Sequence, residues 1–303
     1  MEDRSAPEPG QIPMVQYPRP AMPGTLYVVA TPIGNLDDIT FRAVQTLKNA
    51  SLIAAEDTRR TGTLLRHFGI GTPTTSLHEH NERQKLPELI RELKNGRNIA
   101  LVSDAGTPVV ADPGQRLVAA AIAESIIVVP VPGPSAVLAA VSASGYVSDS
   151  FWFAGFVPSR SVDRTKFLER ISKHSETVVL FEAPHRIRRT LLALADILGE
   201  RPITICRELT KLHEEITRTD CRQAATLNIL ERGEFVLVVG PKNLPARGDE
   251  VVDDSVVANY FYHLTKTARL ERRPALAQTA RHFGLSTKVV YAAVERAKRS
   301  SAS

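Results

Sequence analysis

The chain has 303 residues, 43% of them hydrophobic and 23% charged, with a formal net charge of +5. That length and apolar content predict about two globular domains, each with its own core. Only two cysteines, Cys206 and Cys221, are present, which excludes a disulfide framework and fits a reducing compartment; Cys206, in the run Ile203-Thr-Ile-Cys206, reads as a small core residue.

Residues 1–23 hold six prolines and no periodic apolar pattern, and they are expected to form a disordered leader. The leader opens with Glu2 and Asp3 and has no unbroken apolar run, so it does not read as a secretory signal. Leu26 to Ala30 is a short apolar run typical of a buried strand, followed by the loop Thr31-Pro-Ile-Gly-Asn-Leu36. Asp38 or Thr40 caps the next helix, which carries Phe41, Val44 and Leu47 at helical spacing. Leu52 to Ala55 is the next strand, followed by Glu56-Asp-Thr-Arg-Arg60 and a helix ending at Gly69. Asn98 to Val102 gives a strand before Ser103-Asp-Ala-Gly-Thr-Pro108, and Asp112-Pro-Gly114 opens an alanine-rich helix to Glu124.

Ser125 to Ser148 is uncharged for 24 residues, long enough for a membrane span. Pro130, Pro132 and Pro134 argue against one, and the segment is expected to be a strand (Ile126 to Val129), the loop Pro132-Gly-Pro-Ser-Ala136 and a small-residue helix from Ser135 to Ser144. The protein is therefore expected to be soluble. A second block follows, with strands at Phe151 to Phe156, Thr177 to Glu182, Ile203 to Glu208 and Phe235 to Gly240. Helices are expected between them at Val162 to Lys173, Arg186 to Leu198 and Gln223 to Arg232. Alternating strands and helices predict mostly parallel sheets. After Pro241 a polar linker, Pro245 to Asp254, leads into helices. Lys266 to Arg299 carries nine Lys/Arg against two acidic residues. The helices Pro274 to His282 and Ser286 to Arg299, joined by Phe283-Gly-Leu285, resemble a helix-turn-helix capped by Ser286. Its basic charge suits a phosphate backbone, or a solvated face of a docked helical pair.

Three Gly/Pro-rich loops, each after a β-branched run and before a helix, describe one composite ligand site at the carboxyl ends of parallel strands. None is a P-loop and none spells Gly-x-Gly-x-x-Gly, so ATP and NAD are not favoured. Asp104 could accept hydrogen bonds from a ligand hydroxyl or amine. Gly106 permits close backbone approach, Ala105 and Ala136 leave room, and Pro134-Ser-Ala136 offers backbone N–H groups at a helix start. The His78-Glu-His80 and His213-Glu-Glu215 clusters lack the His-Glu-x-x-His spacing of a metal site, and no metal is expected.

These loops, together with Ala55-Glu-Asp-Thr-Arg-Arg60, Asp112-Pro-Gly114, Gly155-Phe156, Glu182-Ala-Pro-His-Arg186 and Arg207-Glu-Leu-Thr210, resemble the signature set of the bacterial 16S ribosomal RNA cytidine 2′-O-methyltransferases of the RsmI type. The likeness runs in order from Gly24 to Gly240. It implies the tetrapyrrole-methylase-like α/β fold: two α/β domains, 24–147 and 148–241, with the ligand cleft between them, and a small helical extension within 242–303. It implies S-adenosyl-L-methionine as methyl donor, the RNA of the small ribosomal subunit as partner, a homodimer and a cytoplasmic location. Thr31, Pro32 and Gly34 would form one wall of the donor site, Asp104, Gly106, Thr107 and Val109 would line it, and Ser135 and Ala136 would stand opposite. The family's His-Asn pair suggests that His80-Asn81 touches RNA. Ser125 stands where the family usually has glycine, and Arg160 where lysine is common.

Methyl transfer to a ribose hydroxyl is an in-line displacement that needs alignment, proton removal and stabilisation of a developing alkoxide. Two groups of residues qualify, Asp57 with Arg59 and Arg60, and Glu182 with His185 and Arg186. Two other readings stay open, a precorrin-type methylase sharing the donor fold and a non-catalytic RNA-binding assembly factor.

Overall fold

The computed structural model describes residues 23–146, 149–242, 254–267, 270–283 and 286–300, over which ten strands form two five-stranded sheets. All of the expected leader 1–23 but Pro23, most of the polar linker and the turn residues 284–285 lie outside the described residues. Two compact units emerge. One takes the described residues up to Ala143 together with Cys206–Ile216 and Gly233–Val236, and the other takes Ser144–Ile205, Thr217–Arg232 and the described residues from Leu237 on. The chain thus re-enters the first unit twice, which a boundary drawn at one point near 147 does not express.

In the first unit the chain runs β1 (Thr25–Val29), α1 (Phe41–Asn49), β2 (Leu52–Ala55), α2 (Thr58–His67), β3 (Thr74–Ser76), α3 (Glu82–Lys94), β4 (Ile99–Val102), α4 (Gln115–Ala123), β5 (Ile127–Val131) and α5 (Ala136–Ser144). The strand order is β3-β2-β4-β1-β5; β1 pairs in parallel with β4 and β5, and β2 with β3 and β4. Along β4 the side chains alternate. Ile99 and Leu101 pack with Leu89 and Leu93 of α3 and Leu117 and Ala121 of α4, whereas Ala100 and Val102 pack with Ala43 and Leu47 of α1 and Leu65 of α2. Both faces are apolar because both are covered by helices.

That layering sets the position of the site. β1 and β4 are neighbours, yet the chain leaves β1 toward α1 on one face and β4 toward α4 on the other. Such a reversal between adjacent parallel strands opens a crevice at their carboxyl ends. The uncharged stretch from Ser125 resolves into β5 and α5, and among the described residues no helix is long and apolar enough to cross a membrane.

The second sheet is ordered β6-β7-β10-β8-β9, from β6 (Phe151–Phe156), β7 (Thr177–Glu182), β8 (Pro202–Arg207), β9 (Glu215–Asp220) and β10 (Phe235–Val239), with α6 (Ser161–Lys173), α7 (Ile187–Leu198) and α8 (Cys221–Ala224). The helix expected over Gln223 to Arg232 is corrected to the single turn of α8. Beyond Ala224 the Thr226 N–H goes to Gln223, Leu227 to Ala224, Ile229 to Leu227 and Arg232 to Leu230, a succession of tight turns. The described C-terminal residues form α9 (Asp254–Tyr262), a π-helical turn, α10 (Arg272–Phe283) and α11 (Thr287–Ser300) around their own core of Val257, Phe261, Ala275, Val290 and Val294. Ser286 Oγ accepts the Val289 N–H, so it caps α11 as expected. Two basic side chains there are committed to ion pairs, Arg272 with Glu295 at 2.7 Å and Arg296 with Asp254 at 2.6 Å. Arg273, Arg281 and Lys288 are exposed.

Candidate active site

The loops after β1 and β4 are braced against each other. Thr31 donates its N–H to the Gly106 carbonyl (2.8 Å), Gly106 returns one to Thr31 (2.9 Å), and the Thr31 hydroxyl donates to the Ser103 carbonyl at 3.3 Å. The third loop joins through the Thr107 hydroxyl, which donates to the Pro134 carbonyl at 3.4 Å. The structure therefore brings Thr31, Thr107 and Pro134 into one connected cradle. Ser135 stands just before α5, its Oγ accepting the Leu138 N–H.

Backbone geometry in the second loop is unusual. Gly106 has φ +76°, and so, at +75°, does the β-branched Val109; Ala111 follows at +65°. A Val held in the left-handed region costs of order 1–3 kcal/mol and is a frequent mark of a functional loop. Ser125, where the resemblance leads to an expected glycine, has φ +56°, a conformation that a glycine supplies freely.

A recess with about 410 Å³ of empty space, open to solvent, is lined by Thr31, Pro32 and Leu36 of the first loop, Ser103 and Asp104 of the second, and Arg60, Thr61, Thr63 and Leu64 of α2. Asp104 organises it. Its Oδ1 accepts the Asp57 N–H at 3.0 Å, its Oδ2 lies 3.2 Å from Arg60 Nη1, and its own N–H donates to Glu56 at 3.3 Å. Asp57 caps α2 and is clasped by Arg59, whose Nη2 lies 2.8 Å from Oδ2. Those Arg59 hydrogen bonds hold the Asp57 carboxyl well below the usual carboxylate range. Burial raises Glu56, and burial together with the carboxylates of Glu56 and Asp104 pushes Asp112 up to about 6.

In the other unit Glu182 is 3% exposed. Its carboxylate accepts from Arg186 Nη2 and the Ala183 N–H, both at 2.7 Å, and from the Thr190 hydroxyl. His185, on the short turn between them, is exposed. Asn81 spends its side chain inside its own turn, accepting the His78 N–H and donating to Ser76. Among the described residues no group of three or more His, Cys or carboxylate side chains is placed to hold a metal ion.

Sequence reasoning missed Thr61, Thr63 and Leu64. The signal for Thr61 and Leu64 was helical, since 60, 61 and 64 share a face of α2. Sequence reasoning singled out Arg207-Glu-Leu-Thr210 without placing it behind Gly34, where Leu209, Thr210 and Lys211 crowd the glycine and Glu208 and Thr210 hold positive φ of 52° and 68°.

The family model for tetrapyrrole (corrin/porphyrin) methylases matches residues 25–225. A protein of Synechocystis sp., "Ribosomal RNA small subunit methyltransferase I", is 47% identical over 250 residues, covering 80% of this chain and 90% of its own. One of the same name from Halalkalibacterium halodurans is 43% identical over 270 residues, covering 88% and 93%. Among solved structures, uroporphyrin-III C-methyltransferase from Thermus thermophilus aligns with a TM-score of 0.53 at 21% identity, over 72% of this chain and 95% of that one. The same enzyme complexed with S-adenyl homocysteine aligns with a TM-score of 0.52 at 16% identity, over 72% and 98%. At those identities the structures speak for the fold.

Proposed function

Because the chain belongs to the tetrapyrrole (corrin/porphyrin) methylase family, and within it to the ribosomal RNA small subunit methyltransferases I, we propose that it transfers a methyl group from S-adenosyl-L-methionine to the ribose 2′-oxygen of a decoding-centre cytidine in 16S rRNA. The observation that carries this reading is the braced pair of loops at the β1/β4 reversal, with the Asp104 carboxylate in the recess beside them.

The residues present fit the donor. A cationic amino-acid nucleoside asks for a carboxylate to take its hydroxyl or amine hydrogens, backbone N–H groups for its own carboxylate, and room for a flat base. Asp104 offers the first, the start of α5 at Ser135 and Ala136 the second, and Ala105, Gly106 and Gly34 the third. Thr31, Pro32, Thr107, Val109 and Pro134 would complete the cradle. When bound, the donor supplies an electrophilic methyl on a sulfonium sulfur. The protein's own task is to align the acceptor hydroxyl and manage its proton and developing charge.

Asp57, held ionised by Arg59, is a weak proton acceptor, so this group acts through its cations. Arg60, in the recess, is the residue assigned to stabilise the alkoxide. Glu182 already accepts three hydrogen bonds, and with Arg186 it serves the local architecture. The exposed Arg273, Arg281 and Lys288 suit attraction to an RNA backbone. The reading further implies a cytoplasmic homodimer, which sedimentation of the purified chain tests.

The decisive experiment is transfer of labelled methyl from S-adenosylmethionine to small ribosomal subunits lacking the modification, with mapping of the product nucleotide and Asp104→Ala as control. Label at one cytidine 2′-oxygen, lost in the control, supports the reading. Label on a tetrapyrrole alone, or donor binding with no transfer, replaces it with a precorrin-type methylase or a non-catalytic assembly factor.

A further inference from the structure

The recess wall made by α2 carries a charge that the donor cradle does not use. Its sequence, Thr58-Arg-Arg-Thr-Gly-Thr-Leu-Leu-Arg-His67, holds three arginines and no carboxylate. Arg59 is matched by Asp57 and Arg60 by Asp104, but among the described residues Arg66 has no carboxylate partner. Its Nη2 donates instead to the Thr63 hydroxyl at 3.1 Å, and that hydroxyl donates to the Arg59 carbonyl at 3.4 Å. Thr63 lines the recess, so this exposed guanidinium is anchored at the rim.

Residues 59, 63 and 66 fall on one helical face. Arg66 lies back along the helix over Gly62, whose would-be Cβ would stand 3.6 Å from Arg66 Nη1, an ordinary contact distance. One guanidinium donor is spent on Thr63, which leaves the outward N–H groups of the fork for a tetrahedral or planar anion.

We propose that Arg66, positioned by Thr63, is a phosphate subsite that takes a phosphodiester of the RNA next to the nucleotide being methylated. The proposal rests on the RNA-methyltransferase reading and adds to it a substrate contact outside the donor cradle. Charge complementarity and continuity with the recess select the occupant: a repeating anionic backbone can engage the rim while one ribose enters the recess.

The test compares the parent protein with Arg66→Glu, Arg66→Lys and, as a charge reversal in the other compact unit, Arg222→Glu. Three quantities are read: equilibrium binding to unmodified small subunits across a salt series, KM and kcat for those subunits, and affinity for S-adenosylmethionine alone. Arg66→Glu is expected to weaken subunit binding and raise KM by about ten-fold or more. Its log K against log[salt] slope should be shallower by about 0.7–0.9, one phosphate's worth. Donor affinity should hold within two-fold, Arg66→Lys should recover part of the loss, and Arg222→Glu should leave binding and slope at the parent values. Unchanged binding and slope in Arg66→Glu overturn the proposal, as do a parallel loss of donor affinity or an equal loss in Arg222→Glu. If the parent binds subunits but transfers no methyl, the enzymatic reading fails while the binding comparison still decides the subsite. If the parent does not bind subunits, both fall.

Discussion

Gly34 lies so close to Lys211 that a Cβ built on it would stand 2.4 Å from the lysine Cγ, 2.8 Å from the Thr210 hydroxyl and 3.0 Å from the Leu209 carbonyl. The loop after β1 is thus backed by a segment far away in sequence. That segment is itself held in place, since Lys211 Nζ reaches Glu208 at 2.8 Å and Glu234 at 3.0 Å and the Thr210 N–H donates to Glu214. Gly34→Ala has to push the loop off this backing. It should destabilise the protein by about 1–3 kcal/mol in denaturant unfolding and weaken donor binding more than Gly71→Ala, a glycine with nothing within 4 Å of its would-be Cβ. Equal effects at the two positions would mean that the loop tolerates displacement.

Asp112 makes stability depend on pH. Its carboxyl is moved from 3.8 to about 6, chiefly by burial, so the folded state holds the proton more tightly than the unfolded chain. The stabilising contribution is complete below the unfolded value and is lost as pH rises through 6. Asp112→Asn does not titrate. Its Tm relative to the parent should therefore climb between about pH 4 and pH 7, and a Tm difference flat across that range would show that Asp112 titrates normally.

Much of this was legible in the chain, and the failures have physical causes. Apolar runs announce strands, and Leu52 to Ala55 and Thr177 to Glu182 in the sheet interiors, and the apolar edge strand Phe151 to Phe156, are strands over those residues. The edge strands Thr74–Ser76 and Glu215–Asp220 carry no such signal, because their sequences, Thr-Thr-Ser and Glu-Ile-Thr-Arg-Thr-Asp, are polar. Long-range capping was equally silent. Gly114 begins α4 without a side chain to cap it, and the buried Glu82 of α3 supplies the acceptor for the N–H groups of Arg116 and Leu117. The loops were readable as a composite site, yet the Thr31–Gly106 bridge that unites two of them depends on β4 pairing beside β1, a fact of topology rather than of local sequence.

Glu182 separates a structural carboxylate from a chemical one. Glu182→Gln removes the charge that neutralises the half-buried Arg186, whose Nε is already buried without a partner. Breaking a buried ion pair in this way should cost about 3–5 kcal/mol in urea unfolding, with donor affinity and the kcat of the surviving folded fraction little changed. A variant of parental stability with kcat greatly reduced would instead make Glu182 the proton acceptor.

Arg60 is the side chain on which the proposed chemistry turns. Its pairing with Asp104 is a partly exposed one, the guanidinium side chain 66% accessible, and such pairs are worth only about 0–1 kcal/mol. The guanidinium can therefore turn from the carboxylate toward a new negative charge at little cost, while Asp104 keeps the Asp57 N–H on its other oxygen and the wall of the recess stays in place. A cation that meets charge only as it develops on the ribose oxygen accelerates the step without tightening the ground state. Arg60→Ala should accordingly lower kcat by about 10²–10³, with KM for subunits and affinity for S-adenosylmethionine within a few-fold of the parent. Arg60→Lys, which keeps the charge on a shorter reach, should restore part of it. If Arg60→Ala instead raises KM at constant kcat, Arg60 binds RNA in the ground state and the alkoxide is stabilised by another group.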